Sequence, residues 1–135
     1  MCTVTYLPLP NSSYILTSNR DESPLRPIAL APRKYKIADK HVFYPKDPLA
    51  GGTWIATSEN NFTLCLLNGA FEKHVRQESY RISRGLMLLD FFQYNSVTAF
   101  IAKYNFQGIE PFTLIIVDNN HGLMLYELRW DGQKM

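Results

Sequence analysis

Proline is the strongest constraint on this chain. Seven of its eight prolines precede residue 50, and all seven glycines follow it. Pro24, Pro27, Pro32, Pro45 and Pro48 each fix φ, remove an amide donor and push the preceding residue toward extended backbone. Residues 23–48 therefore cannot form regular helix, and an extended, irregular arm lying over other structure is expected. The arm is basic. Between residues 24 and 46, Arg26, Arg33, Lys34, Lys36, Lys40 and Lys46 stand against Asp39 alone. It can be read as a solvated loop surface or as a rim that attracts an anionic ligand.

Strand signals surround the arm. Thr3 to Leu7 and Tyr14 to Thr17 are β-branched and aromatic, and the Asn11-Ser12-Ser13 cluster between them predicts a hairpin turn. Thr53 to Thr57 and Phe62 to Leu67 predict a second hairpin around Glu59-Asn60-Asn61. Phe112 to Val117 and Leu123 to Leu128 predict a third, turning at Asp118 to Gly122. Two helices fit between the second and third hairpins. One spans 83–94, with Ser83 as N-cap and an apolar face of Leu86, Leu89, Phe91 and Phe92; the other is capped by Ser96 and carries Val97, Phe100, Ile101 and Tyr104 at helical spacing. Hairpins interrupted by a helix pair give an α+β fold with mainly antiparallel sheet.

Composition narrows the function classes. A length of 135 residues allows one domain, and 46% apolar with 19% charged residues excludes disorder. The net charge of +2 and pI near 8.5 give no general case for nucleic acid. Wholly apolar runs such as Leu114 to Val117 are far shorter than the ~20 residues of a spanning helix. The N-terminus lacks the basic start and apolar stretch of a signal peptide, so a cytoplasmic chain is expected. Cys2 and Cys65 are too few for a disulfide framework and read as free thiols. His41, His74 and His121 have no metal-ligand spacing with each other or with either cysteine, so neither metal nor other cofactor is expected.

Three features could carry chemistry. Cys2 directly follows the initiator Met, and a small residue there permits Met removal. Its α-amine, with an ordinary pKa of ~7.7–8.0, could then serve as base for its own thiol at ~8.5. The alternative is a cysteine that merely begins a strand. Asn19-Arg20-Asp21-Glu22 ends the return strand of the first hairpin. A turn at 11–13 pairs Thr3 with residues near Ser18 to Asp21, bringing Cys2 and this charged cluster to one end of the sheet. There a carboxylate could hold the α-ammonium and an Arg could hold an anion, or the cluster is an ordinary polar loop. Asn68 closes an apolar strand before Gly69, which suits either a turn or an oxyanion donor. Gly51-Gly52 allows close approach of backbone or ligand. Cys65 lies between Leu64 and Leu66 and reads as a buried small hydrophobe. Arg76, Arg81 and Arg84 flank a helix start and read first as a solvated or salt-bridged face.

Together, Met1-Cys2-Thr3-Val4, Asn19-Arg20-Asp21-Glu22-Ser23-Pro24, Gly51-Gly52-Thr53-Trp54-Ile55 and Leu66-Leu67-Asn68-Gly69 closely resemble the NRDE family, also called the transport and Golgi organisation 2 family. The resemblance implies an N-terminal-nucleophile hydrolase-like αββα sandwich, similar to the cysteine branch that includes penicillin V acylases and bile salt hydrolases. It implies Cys2 as nucleophile, Asp21 as orienter of the α-amine, Asn68 as oxyanion donor and Arg20 as the residue that tunes the thiolate. In the acylases the Arg precedes the Asp by three residues; here the two are adjacent, and adjacent strand residues face opposite ways. The implied activity is hydrolysis of a non-peptide amide. The alternative is binding of a hydrophobic anion, haem or acyl-CoA-like, without chemistry, since eukaryotic relatives are associated with secretory-pathway organisation. Asp131-Gly132 predicts a further hairpin turn with only three residues after it. Residues 1–135 are therefore expected to form the N-terminal portion of a larger domain, its sandwich incomplete.

Overall fold

The structure, a computed structural model, describes residues 2–21 and 23–135; the expectations that concern Met1 and Glu22 lie outside the described residues. Among the described residues, eight strands and two α-helices follow in the order β1 (Thr3–Leu9), β2 (Ser13–Asn19), β3 (Leu30–Ile37), β4 (Lys40–Lys46), β5 (Ile55–Ser58), β6 (Phe62–Asn68), α1 (Arg84–Asp90), α2 (Val97–Lys103), β7 (Phe112–Asp118) and β8 (Met124–Trp130). The class is α+β. Strands β1 and β2 form a two-stranded sheet, and β3 to β8 form a six-stranded antiparallel meander in sequence order. All three expected hairpins are present.

The proline-rich arm is more regular than expected. It is the β3–β4 hairpin on one edge of the large sheet. Pro32 sits where the register slips between Leu30 and Arg33, and Pro45 lies opposite this irregularity, between Tyr44 and Lys46. β4 pairs with β5 only through Val42 and Phe43, so Pro45 withholds no donor from that ladder. An edge strand and a bulge are the two places where a sheet accepts proline, and the arm uses both. Its basic residues also disperse. Lys40 is buried, donating to the Tyr94 carbonyl at 2.6 Å and to Asn95 Oδ1 at 3.0 Å, while Lys34 pairs with Glu59.

Period-two alternation sends the two faces of the large sheet to different partners. Phe62, Leu64, Leu66, Phe112, Leu114 and Ile116 face the helices and join Met87, Leu88, Phe91, Phe92 and Phe100 in one core. Phe91 is its centre, with edge-on ring contacts to Phe62, Phe92 and Phe100 at centroid distances of 5.2, 5.6 and 5.2 Å. Both predicted caps are formed. Ser83 Oγ accepts the Leu86 N–H and Ser96 Oγ accepts the Ala99 N–H. Leu86 and Ile101 were expected in the apolar faces; Leu86 is only half-buried and Ile101 is exposed, because Met87 and Leu88 in α1 and Val97 and Phe100 in α2 take the inward positions. On the opposite face, Thr63 Oγ1 accepts a hydrogen bond from Tyr14 Oη at 2.6 Å, docking β1–β2 against β6. Among the described residues both helices lie on the large sheet's other face.

Candidate functional site

The β1–β2 register brings the first two features together. Thr3 pairs with Asn19, so the next position sets Cys2 opposite Arg20. The Asp21 backbone N–H then donates to Cys2 Sγ at 3.5 Å. Cys2 is partly exposed, whereas Cys65, mid-strand in β6, is fully buried. Burial pushes the Cys65 thiol up, the Ser18 hydroxyl pulls it the other way, and the neighbouring Cys2 adds to the rise. Of the two free thiols, Cys2 is the accessible one.

Arg20 turns away from the strand direction into a cleft of about 450 Å³. Its guanidinium lies 4.0 Å over the Trp54 ring and 3.4 Å from Asp47 Oδ2. Because β2 ends at Asn19, alternation no longer governs Arg20 and Asp21. Asn68, the last residue of β6, lines the same cleft, whereas Cys2 is not among its lining residues. The Asn68 carboxamide makes no hydrogen bond to the described residues. Gly69 holds the strand end in place, with φ +87, an N–H bonded to the Pro111 carbonyl and a carbonyl that accepts the Thr113 hydroxyl. The Gly51-Gly52 pair serves backbone approach: a Cβ on Gly52 would fall 2.4 Å from the Gly85 carbonyl carbon, and the Thr53 N–H donates to Gly85 O. This contact brings the start of α1 to the rim.

Two carboxylates, Asp47 buried and Glu110 partly buried, organise the walls, and neither stood out in the sequence. Asp47 Oδ1 accepts the Leu49 and Ala50 N–H groups, while Oδ2 accepts Arg26 at 2.6 and 2.9 Å. Burial alone would raise this carboxyl, but the Ala50 N–H, the Arg26 guanidinium and the Leu49 N–H hold it below the usual range. Across the cleft, Glu110 binds Arg84 at 3.1 Å and His74 at 3.1 Å. Arg26 is the residue of the basic arm that reaches the cleft, and Arg76 and Arg84 line it while Arg81 instead holds the Asn105 and Gln107 carbonyls. An Asp-Pro followed by Gly-Gly is a turn signal that could have marked Asp47. Glu110 carries no such signal. No group of three or more His, Cys, Asp or Glu among the described residues is arranged to hold a metal ion.

A family model described as transport and Golgi organisation 2 matches residues 1–133. The chain belongs to the transport and Golgi organisation 2 family. That match covers all four motifs as well as the β7–β8 hairpin. No curated protein and no solved structure matched the chain. No helix among the described residues of this family member is long and apolar enough to cross a membrane.

Proposed function

We propose that the chain is an N-terminal cysteine amidohydrolase acting on non-peptide amide bonds, built on an N-terminal-nucleophile hydrolase-like fold. Removal of Met1 exposes the Cys2 α-amine, which Asp21 orients. The amine takes the thiol proton, and the thiolate attacks the amide carbonyl. Asn68 donates to the oxyanion. The C–N bond then breaks, the leaving amine takes the proton back, and water releases the acyl group from Cys2. Arg20, held by Asp47 and Trp54, supplies positive charge to the substrate side of the cleft. What supports this reading is the Asp21 N–H on the Cys2 sulfur, with the preceding residue, Arg20, lining a cleft that Asn68 also lines. The test is intact mass together with amidase assays. Loss of Met1 is expected, as are abolition of activity by Cys2→Ala and a fall of ~10²–10³ in kcat for Asn68→Ala. Retained Met1, or full activity in Cys2→Ala, overturns the reading.

One observation favours a second reading, a hydrophobic-anion binder without chemistry: four guanidiniums line the cleft. Saturable titration by haem or an acyl-CoA, with no amide turned over by the wild-type chain, would support it.

A further inference from the structure

Arg84 and Asn68 meet at one backbone carbonyl. Arg84 opens α1, while Glu110 and Pro111 lead into β7. One guanidinium nitrogen of Arg84 lies 3.1 Å from Glu110 Oε2, and another donates to the Pro111 carbonyl at 3.0 Å. The same carbonyl accepts the Gly69 N–H at 3.0 Å, and its two lone pairs serve both donors. The Gly69 carbonyl in turn accepts the Thr113 hydroxyl at 3.0 Å. The residue after Asn68 is therefore gripped at both its amide and its carbonyl, just where β6 ends opposite Phe112. Arg84 is itself set in place from two sides. Its carboxylate partner is 14% exposed, and the Thr53 N–H donates to the carbonyl of the next residue, Gly85. Asn68 and Arg84 line the same cleft.

A strand end held by one neutral hydrogen bond opens readily. A carboxamide that must meet a developing charge needs the opposite, a backbone fixed before the substrate arrives. We propose that Arg84, held by Glu110, is a positioning residue for Asn68: it anchors the Pro111 carbonyl that holds the Gly69 amide, and so fixes where the Asn68 carboxamide stands in the cleft. The charge-assisted bonds of the guanidinium fork make that carbonyl a firmer acceptor than it would be alone. The use of Asn68 as oxyanion donor rests on the amidase reading; the anchoring does not.

The test combines amide exchange with kinetics on the full chain. Arg84→Ala should speed exchange of the Gly69 amide about tenfold and leave the Leu114 and Ile116 amides of β7 unchanged. Glu110→Gln should act in the same direction. Arg84→Lys, a milder change should Arg84→Ala fail to fold, cannot reproduce the fork and should give a smaller effect of the same sign. On an amide that the wild type hydrolyses, Arg84→Ala should lower kcat about tenfold with KM changed less than about twofold. In an Asn68→Ala background the same change should cost almost nothing further, a loss of additivity that general destabilisation would not produce. Gly69 exchange unaltered in all three variants overturns the proposal, as does a kcat loss equally large with and without Asn68. A raised KM with kcat unchanged would make Arg84 a substrate contact instead and also overturns it. Faster Gly69 exchange in a chain whose wild type hydrolyses no amide would support the anchoring and overturn only the amidase reading.

Discussion

Asp47 shows how much one buried carboxylate can hold. It takes two backbone N–H groups through one oxygen and two guanidiniums through the other, and so fixes the 47–52 turn, Arg26 and Arg20 together. Asp47→Asn keeps an acceptor for the turn but sets an NH2 group against the guanidiniums. The expected cost is about 2 kcal/mol at neutral pH, below the full value for breaking a buried pair because both arginines are partly exposed. The pH dependence has a definite sign. The folded carboxyl lies below its unfolded value of ~3.9, so its contribution is complete above that pH and is lost as pH falls through the folded pKa. Thermal unfolding from pH 7 to pH 2 should therefore show the wild-type advantage constant above about pH 5 and shrinking below pH 4. An advantage that grows on acidification would contradict this account. The same residue marks a limit of sequence reading. The strand-end positions of Cys2, Arg20, Asp21 and Asn68 were legible because the pattern of each strand is local. Asp47 and Glu110 gain their roles from partners distant along the chain, such as Arg26 and Arg84, and no local spacing announces those pairs.

Elements with local signals were read well and the arm was not. The three hairpins and both serine caps follow from alternation, turn residues and capping chemistry, all properties of a few consecutive positions. Proline correctly excluded helix from 23–48, but it says nothing about strand order. Only the β3–β4 hairpin's position on the sheet edge, with a bulge beside Pro32, makes regular strands compatible with that composition. The Gly52–Gly85 contact is likewise invisible along the chain, and it gives a prediction opposite to propensity. In an isolated helix, replacing Gly85 by Ala would gain roughly 0.5–1 kcal/mol. Here the new Cβ would meet the Thr53 carbonyl oxygen and amide nitrogen at 2.8 and 2.9 Å, backbone atoms that cannot rotate aside. Gly85→Ala should therefore destabilise by about 1–3 kcal/mol and push α1 off the cleft rim. Denaturant midpoints at or above wild type would show that this approach is not tight.

At the scale of the whole molecule, the candidate site spans two sheets of unequal stability. Cys2 and Asp21 belong to the β1–β2 layer, while Asn68 and Trp54 belong to the large sheet. A two-stranded hairpin is marginal alone, so β1–β2 depends on its docking onto β6. That docking is light: the inward residues Val4, Tyr6 and Leu16 are only half-buried, whereas β6 is buried from Phe62 to Leu66. The hairpin should thus open locally at lower free energy than the sheet it covers, carrying Cys2 with it. Tyr14→Phe isolates this motion. It deletes the 2.6 Å hydrogen bond to Thr63, whose hydroxyl keeps Thr57 as a partner at 2.8 Å, so little penalty falls on the sheet. Loss of about 1 kcal/mol of docking energy should speed amide exchange of β1–β2 about fivefold and leave the β6–β7 amides unchanged. Equal acceleration of both would mean that the hairpin and the sheet open as one unit, and that the distance from Cys2 to Asn68 is fixed by global rather than local stability.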